Sequence, residues 1–423
     1  MRLFLENIGK IGEACIEIEG ITVIAGENNT GKSTVGKTLY CLFNAFHNIN
    51  DKIAEERRTS VFHTLSDPVR RRDRINPSVV REITNDICSK REYYINEPSS
   101  LMSTIKKFYA SLKENFEDRY EFGVDAIYER VLSYLKLDEN FIKASVLRKI
   151  LRSEFGTQVG HVNQNDIKSS ISLEIHGEKV IEVQMNGFDF INVMNSIDVY
   201  SNIPYIEDPF VIDELNTQRH FFIIRTENHK NKLLEMLAQD RSGSVVSNVM
   251  EEMIVSEKLT QIFNVLNKVC EGSLTETSEE YVYSSSQYTK PLLMSNISTG
   301  LKTFLILKTL LMNGAIEEGG TIILDEPEIH LHPEWQLVFA ELIVLMQKQF
   351  GIHILLNTHS PYFLRALQVY SAKYNISNLC KYYLSELNED IAHITDVTDN
   401  IDKIYVKLSH PLQSLEDLRW RDD

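Results

Sequence analysis

A glycine-rich loop between a buried strand and a helix constrains the fold of this 423-residue chain more than any other feature. Residues 26–34 read GENNTGKST and fit the pattern G-x-x-x-x-G-K-[ST]. They follow the apolar run 21–25 and precede residues 33–46, in which apolar side chains recur at helical spacing. Backbone N–H groups of such a loop, together with the start of the helix, form a binding site for phosphate. The pattern therefore predicts a strand, a phosphate-binding loop and a helix.

The residue types in this loop assign roles to individual side chains. Lys32 is expected to reach the β- and γ-phosphates of a nucleotide, and the hydroxyl of Ser33 is expected to bind Mg²⁺. The alternative is a glycine turn with an ordinary surface lysine, and the flanking strand and helix argue against it. The predicted nucleotide-binding residues are Gly26, Asn28, Asn29, Thr30, Gly31, Lys32, Ser33 and Thr34.

Two further predicted strands end in residues with catalytic chemistry. The strand 321–324 is followed by Asp325, which can hold Mg²⁺, and Glu326, which can polarise an attacking water. The strand 353–356 precedes His359, whose imidazole can contact a γ-phosphate, because ligands gather at the strand ends of open α/β sheets. The alternatives are a solvated acidic turn and a histidine with a purely structural role.

A fourth motif, Ser298, Thr299 and Gly300, stands at the start of another predicted helix. Ser298 is a favourable helix N-cap, and a helix start is suited to bind an anion. The residues alone leave open whether the motif does more than cap the helix.

Helix and strand patterns divide the chain into a head and an insertion. Near both ends strands alternate with helices, which is typical of an α/β fold with a parallel sheet. Between residues 48 and 155 glycine almost disappears and helix-forming residues dominate. The prediction is a head of residues 1–47 and 280–423, with added strands from 171–215, and a mainly helical arm of residues 48–160 and 216–279.

Charge and cysteine content limit the partners and the compartment. The chain has 44 Lys+Arg against 60 Asp+Glu, a net charge of −16, which excludes coating of nucleic acid by bulk charge. Five scattered cysteines without a C-x-x-C pair argue against a disulfide framework or a cysteine zinc site. With neither a signal-peptide pattern nor a long apolar run, the expectation is a soluble, cytoplasmic protein without membrane contact.

Residues 57–91 are rich in arginine despite the acidic total. Arg70, Arg71, Arg72 and Arg74 form the densest basic cluster of this segment. The cluster is either a contact for DNA or an acidic partner, or a solvated face of a helix and loop.

The four motifs, in this order, resemble those of the ABC-type ATPase superfamily, in particular its SMC, recombination-repair and OLD-like branch. The run 324–333, LDEPEIHLHP, is typical of stand-alone bacterial AAA family ATPases of that branch. The resemblance implies an α/β fold, a P-loop ABC-type ATPase head split by a mainly helical inserted arm, with ATP and Mg²⁺ as ligands.

The resemblance also assigns motif names. Residues 26–34 correspond to Walker A and Asp325 to the Walker B aspartate. Glu326 corresponds to the catalytic glutamate and His359 to the switch histidine, so that Lys32, Glu326 and His359 become the predicted catalytic residues.

Ser298, Thr299 and Gly300 stand at the position of the signature motif, which in this family touches ATP bound to a second protomer. A homodimer or higher homo-oligomer paired through the heads is therefore implied. The motif reads ISTGLK here instead of LSGGQ. His330 and His332 are assigned to dimer contacts in preference to a metal site. Four glutamines stay open as the Q-loop residue: Gln158, Gln164, Gln184 and Gln218.

Stand-alone ATPases that look like this one are often encoded in bacterial anti-phage systems, and those of the Septu and PARIS kind are similar. The segment after His359 is too short for the Toprim nuclease of several OLD-like relatives, so the effector, a nuclease or toxin, is expected in a separate protein. The resemblance favours a slow Mg-dependent ATPase whose nucleotide state regulates an oligomer or a partner. Two alternatives remain: a non-hydrolysing ATP-bound scaffold that holds and releases an effector, and a DNA-repair or DNA-processing ATPase.

Overall fold

The chain forms two compact units. The first comprises Met1–His47 and Leu147–Asp423, and the second comprises Asn48–Val146. A computed structural model describes residues 1–70, 77–113, 123–162, 167–187, 189–218, 227–239 and 249–419.

Strands of the first unit form one large and one small sheet. They are β1 (Arg2–Ile8), β2 (Ile11–Glu17), β3 (Ile21–Gly26), β4 (Lys168–Ile175), β5 (Glu178–Asn186), β6 (Asp189–Asn195), β7 (Tyr205–Ile206), β8 (Ser273–Glu276), β9 (Tyr281–Ser284), β10 (Leu292–Leu293), β11 (Thr321–Asp325), β12 (His353–Thr358), β13 (Cys380–Asn388) and β14 (Ile391–Asp396). In the described ranges, β8, β9 and β10 form the small antiparallel sheet and the other strands form the large one.

Helices occur in both units. They are α1 (Lys32–Phe46), α2 (Ile49–Arg70), α3 (Pro77–Ser89), α4 (Arg91–Asn96), α5 (Pro98–Lys113), α6 (Val124–Lys136), α7 (Glu139–Phe155), α8 (Glu214–Gln218), α9 (His229–Ala238), α10 (Val249–Leu266), α11 (Thr299–Met312), α12 (Pro333–Phe350), α13 (Pro361–Lys373) and α14 (Asp402–Arg419). The α/β class predicted from the sequence is confirmed.

The large sheet has the strand order β6-β5-β4-β1-β2-β14-β13-β3-β12-β11-β7. The last five strands of this order, β13 to β7, pair in parallel with one another, whereas β13 pairs antiparallel with β14 on its other side. In this block Thr358 lies opposite Ala25, and Asn357 lies opposite Asp325. Because the carboxyl ends of parallel strands meet at one edge of a sheet, the residues that follow β3, β11 and β12 come together there.

Continuous apolar sequence suits the parallel strands of this block to a position that is buried on both faces. Every residue of β3 and of β11 is buried, as expected for parallel strands that are covered on both faces. Helices α11 and α12 add aromatic side chains to the same core, where the rings of Phe304 and Phe339 meet edge-on at 5.3 Å between centroids. The core therefore fixes the strands that carry the site.

The second unit has a helical core of its own. Val61, Ile105 and Leu135 are fully buried in it. Two arginines of the basic segment serve this unit: Arg57 Nη2 donates to the Leu137 carbonyl oxygen at 3.2 Å, and Arg91 Nε donates to the Leu135 carbonyl oxygen at 2.8 Å. Cationic side chains at the end of α6 complement the helix dipole and its last carbonyl groups.

The proposed basic cluster lies at the edge of what the structure describes. Arg70 is the last residue of α2, and its side chain is outside the described part. Arg71, Arg72 and Arg74 lie outside the described residues altogether. Their contact with DNA or a partner stays a prediction.

The two units divide the chain differently from the predicted head and arm. Helices occupy most of residues 49–155, as their composition indicates. The segment 216–279, predicted as arm, belongs to the first unit, where Leu233 of α9 and Ile262 of α10 are part of the core around the sheet. Helical periodicity shows that a helix has an apolar face, but not on which core that face packs.

Membrane and cysteine features can be checked directly. Among the described residues, no helix combines the length and the apolar character needed to cross a bilayer. The five cysteines are free thiols, and three of them, Cys41, Cys270 and Cys380, are buried. Burial raises the pKa of the Cys41 thiol, so it remains protonated and packs as a small apolar side chain.

The pairing of β3 with β13 depends on a close backbone approach at Gly20, and a substitution of this residue tests it. Its φ is 59°, and a Cβ there would lie 2.3 Å from the Leu379 carbonyl oxygen. Gly319 has a similar φ of 68° but nothing within 4 Å of its Cβ position, so it is the matched control. Each change to alanine should lower the free energy of unfolding by about 1–2 kcal/mol for the left-handed backbone. Gly20→Ala should lose roughly 1–3 kcal/mol more for the overlap. Urea unfolding measures both, and equal losses would contradict the prediction.

Candidate functional site

The loop predicted to bind phosphate, residues 26–34, connects β3 to α1. Gly31, the residue before α1, has a left-handed backbone with φ 88°. Strand β13 supports the loop, since the Ser385 hydroxyl donates to the Thr30 carbonyl oxygen at 2.7 Å. A Cβ on Gly26 would lie 2.1 Å from the Ser385 carbonyl oxygen, so glycine is required there because β13 passes too close for a side chain.

The remaining predicted loop residues lie on the outer side of the loop and on the first turn of α1. Asn28 and Asn29 are exposed, and Asn29 has φ 65°, which asparagine tolerates better than most residues. Ser33 and Thr34 are half-buried at the helix start. The Ser33 hydroxyl is therefore placed in the first turn, as its predicted role requires.

The side chain of Lys32 lies inside the loop. It is 4% exposed, and its Nζ donates to the carbonyl oxygens of Gly26 at 3.1 Å and Glu27 at 2.7 Å. Burial lowers the pKa of this ammonium, and the carboxylates of Glu326 and Asp325 oppose that shift. The cation is thus held between the loop and the end of β11.

Asp325 ends β11 as a buried carboxylate with both oxygens bound. The Tyr205 hydroxyl donates to Oδ2 at 2.8 Å, and Asn357 Nδ2 donates to Oδ1 at 2.9 Å. Sequence reasoning missed both donors. The parallel register of β11 with β12 places Asn357 opposite Asp325, so a correct strand pairing could have found it, whereas the Tyr205 bond requires knowing that β7 lies at β11.

Glu326 adopts a conformation that side chains of its size avoid. Its φ is 49°, in the left-handed region, and its backbone N–H donates to the Asn357 carbonyl oxygen at 3.0 Å. Its Oε1 lies 3.4 Å from His359 Nδ1 and 3.7 Å from Lys32 Nζ. The contact with His359 lowers the pKa of Glu326 and raises the pKa of His359. Each shift favours the ionised form of its group. Backbone strain like that of Glu326 concentrates at functional sites.

Glu328, an acidic residue whose role was missed from the sequence, supports the segment that carries His359. It is 2% exposed; its Oε1 accepts a hydrogen bond from the Thr358 hydroxyl and lies 3.3 Å from the His359 backbone nitrogen, which donates to it. Burial raises the pKa of Glu328, and its Oε2 has no hydrogen-bond partner. Glu328 thereby connects the loop after β11 to the end of β12.

A buried charged cluster lies beside the Asp325 carboxylate. His229 Nδ1 is 2.8 Å from Glu154, and its Nε2 is 3.0 Å from Glu207, which also contacts Lys37 at 3.3 Å. The His229 ring stacks on Tyr205 at 4.5 Å between centroids. Burial lowers the pKa of His229, but the bonds to the two glutamates outweigh it and raise the value. The bond from His229 lowers the pKa of Glu207 to about 2.

The signature-like motif lies at the start of α11. The Ser298 hydroxyl accepts from the Leu301 backbone N–H at 3.4 Å, so its predicted capping role is present. Thr299 is the first residue of the helix. A Cβ on Gly300 would lie 2.9 Å from the His330 carbonyl oxygen, which means that the helix start packs closely on the loop after β11.

The sequence left four glutamines open as the Q-loop residue, and the structure does not bring them together. Gln184 is exposed on β5, and Gln158 follows α7. Gln218 ends α8 with its side chain outside the described part, and Gln164 lies outside the described residues. The residue that follows β7, at the edge where Asp325 lies, is a glutamate, Glu207.

The donor set fits a magnesium nucleotide. A carboxylate offers about four acceptor positions, and Asp325 uses one on each oxygen, which leaves lone pairs for a metal. In the described part of the chain, no three His, Cys, Asp or Glu side chains form a metal-binding group. Mg²⁺ does not need one, since it commonly binds one or two protein oxygens together with phosphates and water. Ser33 and Asp325 are the residues that would hold it.

Residues 21–365 match the protein family described as "AAA domain, putative AbiEii toxin, Type IV TA system". The chain belongs to this family. The matched range of this AAA domain includes Lys32, Asp325, Glu326 and His359. Its fold is α/β, as predicted, and the loop predicted to bind phosphate follows β3 of the large sheet.

Several solved structures are similar to this AAA domain. The SMC head domain from Thermotoga maritima is 12% identical, with 94% of this chain and 98% of that chain covered and a TM-score of 0.39. The SMC head bound to the C-winged helix domain of ScpA is 13% identical, with coverage of 93% and 96% and a TM-score of 0.42. The Smc head with an extended coiled coil bound to the C-terminal domain of ScpA, from Pyrococcus furiosus, is 10% identical, with coverage of 99% and 98% and a TM-score of 0.33.

His229 makes the stability of the AAA domain depend on pH. Its raised pKa means that the bound proton stabilises the fold fully below the ordinary value of 6.5, and that this contribution is lost as pH rises through the folded value. His229→Gln should therefore be less stable than wild type at pH 6, by about 1.4 kcal/mol per unit of pKa shift plus a constant term, and the deficit should shrink toward pH 9. Urea unfolding across this range measures it.

His353→Gln provides a contrast for this measurement. Burial lowers the pKa of His353, so the pH trend of this variant relative to wild type should have the opposite sign. A deficit of His229→Gln that is constant from pH 6 to pH 9 would contradict the assignment of a stabilising proton to His229.

Proposed function

We propose that this AAA domain binds Mg-ATP and hydrolyses it slowly, and that its nucleotide state regulates an oligomer or a partner protein. The observation that carries the proposal is the meeting of four motif residues at one edge of the sheet. Lys32 lies 3.7 Å from Glu326, and Glu326 lies 3.4 Å from His359. Asp325 directly precedes Glu326. Lys32 and His359 suit phosphate, and the two carboxylates suit a metal ion and a water nucleophile.

The loop and the first turn of α1 are proposed to hold the nucleotide. Residues 26–34 bind the phosphates through backbone N–H groups and Lys32, whose ammonium already lies within the loop. Ser33 and Asp325 hold Mg²⁺, which neutralises charge on the phosphates when it is bound. These assignments follow the oxygen chemistry of the side chains and their placement at the strand ends.

Glu326 is proposed as the base that orients and deprotonates the attacking water. Its contacts with His359 and Lys32 keep it ionised, which is the form that accepts a proton. Lys32 and His359 are also the groups proposed to attract the γ-phosphate. As they engage it, their attraction for Glu326 falls and the carboxylate becomes available to the water.

Two variants, Lys32→Ala and Glu326→Gln, distinguish ATP binding from ATP hydrolysis. Loss of the Lys32 cation should abolish ATP binding, because the triphosphate loses its counter-charge in the loop. Glu326→Gln keeps the size of the side chain but not the base, so it should bind ATP and release phosphate at least about 100-fold more slowly. The matched control is Glu341→Gln on α12, which removes a carboxylate paired with Lys373 of α13. A fluorescent ATP analogue reports binding, and normal hydrolysis by Glu326→Gln would exclude it as the base.

The same measurements distinguish the alternatives. ATP binding with phosphate release at background would favour a scaffold that uses ATP as a structural ligand. Turnover that rises on addition of DNA would favour a DNA-repair or DNA-processing ATPase, and it would direct attention to Arg70, Arg71, Arg72 and Arg74 as the DNA contact.

Pairing of two heads across ATP is part of the proposal. The start of α11 offers backbone N–H groups with a small-residue motif, a combination suited to bind phosphate of a second copy. The helix start packs closely on the loop after β11, at Gly300 and His330. This contact supports the proposal that binding or loss of ATP at the site changes the position of the α11 start. A homodimer or a higher homo-oligomer follows.

Ser298→Asp tests the pairing. Aspartate is as good an N-cap as serine, so α11 should remain folded, but its charge should repel the phosphate of a second copy. In a Glu326→Gln background with ATP, mass photometry should show dimers, and Ser298→Asp should shift them to monomers. Asn228→Asp makes a comparable exchange at the N-cap of α9 and should leave the dimers intact. Unchanged dimers with Ser298→Asp would contradict pairing through α11.

The biological setting is proposed from the resemblance and the family description. The resemblance to ATPases of the Septu and PARIS kind favours anti-phage defence, and the toxin system named for the family supports a second component. We propose a separate nuclease or toxin as that effector, and the five free cysteines support a reducing, cytoplasmic location.

A further inference from the structure

We propose that Tyr205 is a positioning residue for the magnesium site: its hydroxyl fixes the carboxylate of Asp325 in the orientation that binds the metal. The inference rests on the proposed binding of Mg-ATP. Tyr205 belongs to none of the motifs by which the site was predicted, and it acts through Asp325 without touching substrate itself.

The hydrogen bond between these residues is defined by strand pairing. Strand β7 runs parallel to β11, with Ile206 opposite Leu324, so the tyrosine starts the neighbouring strand. Its hydroxyl lies 2.8 Å from Asp325 Oδ2 and is buried. The phenol is the donor and the carboxylate oxygen is the acceptor.

Packing leaves the Tyr205 ring little freedom. Its side chain is 1% exposed, and the His229 ring stacks against it at 4.5 Å between centroids with an interplanar angle of 27°. On helix α1, a Cβ at Gly36 would lie 3.3 Å from the Tyr205 oxygen, which is tighter than ordinary contact. The donor is therefore held in place from two further elements, α9 and α1.

The His229 ring that stacks on Tyr205 is itself fixed by two glutamates. Glu154 accepts from the His229 backbone N–H at 2.6 Å and faces its Nδ1 at 2.8 Å. Glu207, two residues after the tyrosine, faces Nε2 at 3.0 Å and is paired with Lys37 at 3.3 Å. The side chains of His229 and Glu154 are 5% and 2% exposed, so this is a buried and mutually satisfied cluster.

The consequence concerns the second oxygen of the metal-binding carboxylate. Asn357 fixes Oδ1 and Tyr205 fixes Oδ2, so the plane of the carboxylate is set before a metal arrives. Partners of this kind orient metal ligands, and their loss typically weakens metal affinity about 10–100-fold. Without the phenol, Asp325 keeps one fixed oxygen and can rotate about it.

Tyr205→Phe removes the hydroxyl and keeps the ring. The experiment measures binding of a fluorescent ATP analogue as Mg²⁺ is raised, and separately in EDTA. We expect the Mg²⁺ concentration at half-maximal effect to rise about tenfold or more, with unchanged affinity in EDTA. Mn²⁺ in place of Mg²⁺ gives a second readout, because the electron paramagnetic resonance signal of free Mn²⁺ reports directly how much metal is bound.

Tyr40→Phe is the matched control. Tyr40 is buried in the same aromatic cluster, 6.2 Å from the Tyr205 ring, and its hydroxyl accepts from Asn44 at 2.9 Å. Loss of this oxygen should leave the Mg²⁺ dependence unchanged. An equal shift in both tyrosine variants, or equal loss of ATP affinity in EDTA, would assign Tyr205 a merely structural role and overturn the proposal.

If Tyr205→Phe does not fold, Gly36→Ala provides a second test of the role of Tyr205. The new Cβ would lie 3.1 Å from Ile323 Cγ2 and 3.3 Å from the Tyr205 oxygen, so these neighbours must shift by a few tenths of an ångström while every site side chain is kept. The half-maximal Mg²⁺ concentration should rise, but by less than is expected for Tyr205→Phe. An unchanged or lower Mg²⁺ requirement in the folded variants would overturn the proposal, whereas failure of the wild-type protein to bind ATP at all would refute the proposed function.

Discussion

Burial of the Asp325 carboxylate is the constraint on which the arrangement of the site depends. A charge that is 4% exposed destabilises a fold unless its oxygens are hydrogen-bonded. Tyr205 and Asn357 supply these bonds from β7 and β12, the strands on either side of β11. The strand order that supplies these bonds also leaves only β12 between Asp325 on β11 and strand β3, which leads into the loop that holds Lys32.

Strain and perturbed charge surround this satisfied carboxylate. Glu326 has a left-handed backbone and contacts Lys32 and His359, and Glu328 is buried with one oxygen unpartnered. Neither feature improves stability, and both lie within four residues of Asp325, as is characteristic of functional sites. The surrounding core, with fully buried β3 and β11, is what allows the chain to hold them.

How far the sequence predicts the site depends on how local each signal is. The loop at residues 26–34, the acidic end of β11 and the cap at Ser298 were predictable because each is encoded by adjacent residues with a characteristic spacing. Ser385, which supports the loop, was not, since nothing near it in the sequence distinguishes it from other serines of a strand. The helices of residues 49–155 follow from composition, but the placement of α9 and α10 in the first unit does not.

The sequence by itself determined the chemistry available to this protein: a phosphate-binding loop, a carboxylate pair and a histidine at strand ends, because these depend on local pattern. Only the tertiary structure decided which distant groups complete it. Tyr205 and Asp325 are 120 residues apart and meet because β7 pairs with β11. Glu154 and His229 are 75 residues apart and meet in a buried cluster. Such contacts are set by which surfaces pack together, and periodicity along a chain shows that a surface is apolar without showing what covers it.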